Sequence, residues 1–138
     1  MLCGDPYFEK DIQRIEKIQR KAARFVKSDY QRTSSVTSML KDLGWESLQQ
    51  RRKINRLSMM YKIVNNQVAI PPTNHIEFNK RSLRNKHSWQ IKTKSVDIEN
   101  YKNSFFPKTI IDWNNLNNKH ISCESVLSFK AAISNISA

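Results

Sequence analysis

Apolar and polar positions repeat with a helical period through most of this 138-residue chain, and the clearest run lies near its start. Ile12, Ile15, Ile18, Ala22, Phe25 and Val26 recur at helical spacing, which predicts an amphipathic helix over about 8–29 with these residues toward a core. Lys10, Arg14, Lys17, Lys21 and Arg24 advance by alternating steps of four and three, so they form a second, cationic stripe on the same helix. A polar break at 28–33 follows, and Thr33 or Ser34 offers the N-cap hydroxyl of a short helix over about 35–43. Val36, Met39, Leu40 and Leu43 give that helix an apolar side. Gly44 stands where a left-handed residue would end it, and Trp45 comes next.

A long helix is predicted over about 46–66. Leu48, Ile54, Leu57, Tyr61 and Val64 line its core side, while Gln50, Arg51, Arg52, Lys53, Asn55 and Arg56 crowd the polar side of its first half. Pro71 and Pro72 forbid its return. Residues 71–103 are polar and basic. Trp89, Ile91 and Thr93 alternate with Gln90 and Lys92, as in a short strand, and residues 96–98 are its candidate partner. A helix over about 105–117 then buries Phe106, Ile110, Trp113 and Leu116, with Pro107 tolerated in its first turn. A last helix from Ser125 carries Val126, Phe129, Ala132, Ile133 and Ile136. The expected fold is mainly α: about five helices in a small bundle, with an irregular insert near 71–103 that a hairpin could occupy. It divides into 1–66, 67–103 and 104–138 within one compact body.

Charge narrows the class of partner. Twenty-four Lys and Arg against twelve Asp and Glu leave a net charge of +12. Residues 1–66 hold fourteen basic and seven acidic side chains, 67–103 hold seven and three, and 104–138 hold three and two, so the cationic surface is expected on the first two-thirds. Such an excess suits a polyanion held through its phosphates. Aromatic residues interleave with charge at Phe25, Lys27, Tyr30 and Arg32 and again at Arg84, Lys86, Trp89 and Lys92, where bases could stack; anchoring of Tyr30 and Trp89 onto the core is the competing expectation. Trp45 and Trp113 are expected in the core. A membrane surface is a poorer match, because the basic helix offers lipid only Phe25 as a bulky aromatic. Two distant cysteines, Cys3 and Cys123, suggest no disulfide framework, and no run of apolar residues is long enough to span a bilayer. An intracellular, reducing compartment is expected.

Catalysis needs converging groups, and the pattern offers none. The acids stand singly beside Lys or Arg, as in helix-surface ion pairs, rather than in sets that could converge on metal ions. Cys3, His75, His87, His120 and Cys123 lack zinc-site spacing, and two glycines cannot build a phosphate loop. No enzymatic activity, metal or cofactor is expected of this chain alone. The short helix, the Gly44 turn and the long basic helix also have helix-turn-helix spacing, with Gln49, Arg52, Lys53 and Arg56 as the set that would face a duplex. A stand-alone DNA-binding regulator is therefore the alternative, and a protein that meets an acidic partner is a third reading.

Several segments together resemble one family. They are Lys10 to Ile12 with Ile15 to Val26, Ser34 to Leu40 with Leu43 to Leu48, Arg51 to Lys53, Met60 to Val64, Ser104 to Leu116, and the closing Ser128-Phe129-Lys130. In this order they are similar to the C-terminal region of reverse transcriptases encoded by non-LTR retrotransposons of the LINE type, CR1- or Jockey-like. The resemblance implies that residues 1–66 are thumb-like and grip a template–primer duplex, and that the remainder holds RNA or target DNA. It implies a parent RNA-directed DNA polymerase, with an endonuclease in many members, working in the nucleus. The palm with its catalytic aspartates would lie upstream, as a partner with the fingers. On this reading Lys10, Arg14, Lys17, Lys21, Arg24, Arg51, Arg52, Lys53 and Arg56 contact the phosphates of RNA or an RNA–DNA hybrid.

Overall fold

A computed structural model describes residues 6–80, 87–95 and 97–137. Cys3, Arg84, Lys86 and Val96, all used in reading the sequence, lie outside the described residues. The fold is mainly α. Its contacts divide it into two compact units, Met1–Arg52 and Lys53–Ala138, with the boundary inside the long helix.

In the first unit, α1 runs over Glu9–Lys27 and α2 over Val36–Asp42, and α3, Leu48–Val64, contributes its first turn. Glu9 and Asp11 sit in the first turn of α1, Arg24 and Lys27 in its last, each sign complementing the helix dipole. Ser28 ends α1 at φ 51°, a left-handed conformation; its N–H donates to Phe25 O and that of Asp29 to Arg24 O. Ser35, rather than Thr33 or Ser34, caps α2 by accepting from Ser38 N–H at 3.3 Å. Gly44 closes α2 at φ +65°: its own N–H reaches Lys41 O and the Trp45 N–H reaches Leu40 O. This is the paired arrangement expected of a helix ended by glycine. An added Cβ at Gly44 would meet nothing within 4 Å, so substitution tests backbone strain alone. Gly44→Ala is expected to destabilise this unit by about 1–2 kcal/mol, read as a shift of its urea midpoint.

The apolar face of α1 is placed differently from the expectation. The side turned inward holds Gln19 and Ala23, with Ile12 and Ile15 partly covered. Ile18, Phe25 and Val26 remain 65 %, 73 % and 54 % exposed, and Ala22 beside them is exposed too. A seven-residue α2 is too short to cover a nineteen-residue helix. The small Ala23 lets the chain approach closely on the side that is covered. Trp45, expected in the core, is also partly exposed.

The second unit contains the main core. Leu57, Met60, Tyr61 and Ile63 of α3 pack with Ile110 and Trp113 of α5 (Phe105–Asn114) and with Phe129 and Ile133 of α7 (Val126–Ser134). These helices lie where the periodicity puts them, ending within three residues of the expected limits. Tyr61 stacks on Phe129 at 4.7 Å and donates its hydroxyl proton to Cys123 O. Ser125 caps α7 with Ser128 in a reciprocal pair of hydrogen bonds. Two single turns, α4 (Glu99–Lys102) and α6 (Asn118–Ile121), add to the five expected helices.

The described part of the insert packs against the end of α5. Ile91 pairs in an antiparallel bridge with Phe78, not with 96–98. Asn79 N–H donates to Gln90 O at 2.8 Å and Lys92 N–H to Glu77 O at 2.7 Å. The end of α5 holds this bridge from the other side. Asn114 exchanges two side-chain hydrogen bonds with the Ile91 backbone, at 2.9 and 2.8 Å, as a neighbouring strand would. Trp113 donates its indole N–H to Trp89 O at 3.0 Å, and the buried His87 ring contacts Trp113 O at 3.0 Å.

Candidate nucleic-acid interface

Lys10, Arg14, Lys17 and Lys21 all project from α1 into solvent. Steps of four, three and four keep them within a narrow sector of the helix surface. Lys10 and Lys21 are about 16 Å apart along the axis, matching about five base-pair steps of duplex. Arg14 shares an exposed ion pair with Asp11 at 3.8 Å, a contact of little strength that phosphate could replace.

Arg24 does not belong to this row in function, although it does in register. Its guanidinium donates to the carbonyls of Gln31 at 2.8 Å, Asp29 at 3.3 Å and Ser34 at 3.4 Å. It holds the loop after α1 in place. The same loop has a second tie in Asp29, whose carboxyl is kept below its ordinary 3.8 by a hydrogen bond from the Ser34 side chain, with the Gln31 N–H and the Arg24 charge adding to it.

The second cationic cluster is also divided. Arg51 is exposed and Arg52 half-buried. Lys53 lies 3.6 Å from Asp112. Arg56 is 6 % exposed and donates to Asp112 at 3.0 Å. A guanidinium buried against a carboxylate cannot reach a phosphate, so Arg56 is a structural residue of the second unit. The sequence could not separate these roles, because Asp112 is more than fifty residues away from both partners.

The start of α3 is built from α1. Glu16 accepts from Gln49 N–H at 2.9 Å, Gln19 donates to Glu46 O at 2.8 Å, and Ser47 accepts from Gln50 N–H at 3.1 Å. Glu16 and Gln19 are therefore used on the inner side of α1, while Glu9 and Gln13 bond to each other on its exposed surface and Asp11 pairs with Arg14. The exposed row Ile18, Ala22, Phe25 and Val26 runs beside the lysines on the same helix.

Trp89 is half-exposed and packs edge-on against Phe78 at 5.6 Å, while Tyr30 is exposed in the loop after α1. Among the described residues no three His, Cys, Asp or Glu side chains gather in a way that could hold a metal ion, and no helix is long and apolar enough to cross a membrane. No family model, curated protein or solved structure matches the chain.

Proposed function

We propose that this chain is a noncatalytic nucleic-acid-binding piece of a non-LTR retrotransposon reverse transcriptase, gripping RNA or an RNA–DNA hybrid through the outer side of α1. The observation that carries the reading is the row Lys10, Arg14, Lys17 and Lys21, solvent-exposed on one sector of a nineteen-residue helix. Arg51 and Arg52 are further candidates, Lys53 is exposed but drawn toward Asp112, and Arg56 and Arg24 are engaged by their own partners. The family itself is supported by the ordered segments quoted from the sequence. Within that reading, the apolar row Ile18, Ala22, Phe25 and Val26 is where the palm or fingers of the parent polymerase would pack, in the nucleus.

A helix-turn-helix regulator fits less well. Its reading helix would need Arg56 and Lys53 on the duplex, and both are drawn to Asp112 instead. The test is binding of a short RNA–DNA hybrid at low salt. Changing Lys10, Lys17 and Lys21 together to Gln is expected to weaken it by about tenfold per residue, with no preference for sequence. The same change at Lys119, exposed in the second unit, is expected to have little effect. Equal affinity in the triple variant would overturn the proposal.

A further inference from the structure

The second unit carries a cavity of about 290 Å³ that the α1 stripe does not use. One side of it is an aromatic pair: His75 and Phe106 stack on each other with ring centres 4.6 Å apart and planes 12° from parallel. Tyr101 of α4 and the buried Ile110 of α5 complete the apolar part, and Lys94 and Lys102 stand at its edge. The volume sits at the lower end of the range for ligand pockets, about 300–1,000 Å³, so it suits one small planar group rather than a chain of them.

Charge selects the kind of group. Glu77, also at the edge, is bonded to Lys92. That bond, followed by the charges of Lys92, Lys80 and Lys94, holds its carboxyl below the ordinary range. Glu77 is thus bonded to Lys92 and feels the Lys94 charge only at a distance, and among the described residues neither Lys94 nor Lys102 forms an ion pair. Aromatic rings beside these two ammonium groups fit a molecule with a flat ring and a phosphate.

We propose that this cavity is a single-nucleotide subsite, in which a base enters against Phe106, His75 and Tyr101 while its phosphate meets Lys94 and Lys102. The proposal deepens the nucleic-acid reading and rests on it for a strand as the nucleotide's source; a free nucleotide has the same chemistry. Two measurements on the full chain separate these. The first compares binding of a short oligouridylate with an abasic strand of equal length. The second follows the His75 and Tyr101 ring signals by NMR while uridine 5′-monophosphate or inorganic phosphate is added.

The oligouridylate is expected to bind about tenfold tighter than the abasic strand. Tyr101→Ala is expected to remove that difference and leave the abasic strand's affinity nearly unchanged, while Lys94→Ala with Lys102→Ala is expected to weaken both strands, since both carry the phosphate. The mononucleotide is expected to move both ring signals more than phosphate does. If the strands bind alike and the mononucleotide moves neither ring, the subsite is wrong while polyanion binding stands. If neither strand binds at low salt but the mononucleotide still moves both rings, the subsite stands with a free nucleotide as its ligand and the nucleic-acid reading falls.

Discussion

Affinity for an RNA–DNA hybrid is expected to fall about 10²- to 10³-fold between 50 and 200 mM salt. The size of the fall counts contacts, because each phosphate neutralised releases condensed counterions. Four or five cations, the α1 row with Arg51, correspond to a log–log slope of about −4. All nine cations of the sequence reading acting together would give a slope of about −8. The two cases differ by about two powers of ten over the same salt range, so a fluorescence anisotropy titration separates them. A slope near zero would remove phosphate contact altogether. A slope near the larger value would mean that Arg24, Lys53 and Arg56 leave their carbonyl and carboxylate partners on binding. That is unfavourable, since it would strand Asp112 and release the loop after α1.

Replacing Trp113 with Ala is expected to cost the second unit about 3–5 kcal/mol, a large part of the stability of any small domain. The indole is fully buried and touches Phe129 and His87 through its rings. It also carries the hydrogen bond to Trp89 O, so its loss frees one end of the segment that pairs with Phe78. Urea denaturation should show the lost stability, and hydrogen exchange should show the amides of Asn79, Ile91 and Lys92 losing protection. Trp113→Phe retains most of the ring volume and lacks the donor, and is expected to cost less than half as much. Equal protection of Ile91 in wild type and Trp113→Ala would show that Asn114 alone secures the bridge.

The helices were legible because each carries a strong local signal. Val126, Phe129 and Ile133 repeat at helical spacing behind a serine cap, and Gly44 stands where only a left-handed residue closes the turn. What escaped was set by long-range partners. Arg56 reads as surface in its own segment and becomes buried only because Asp112 meets it. Ile91 has an evident strand pattern, but its partner Phe78 sits in a shorter alternation, Ile76 and Phe78 around Glu77, that gives too little signal to fix the pairing. The cavity beside His75 and Phe106 was not legible at all. It draws His75, Lys94, Tyr101 and Phe106 from separate stretches, and no spacing rule links them. For α1 the period was right and the direction wrong, because the pattern names a face and does not say whether anything covers it.

That uncovered face sets a practical limit on how the protein can be handled. Mutual repulsion between strongly cationic copies keeps their Phe25 sides apart. At about 1 M salt that repulsion reaches only ~3 Å from the surface, while the attraction between apolar faces persists. Association of copies through Phe25 is therefore expected to rise with salt, unless Phe25 is made polar first.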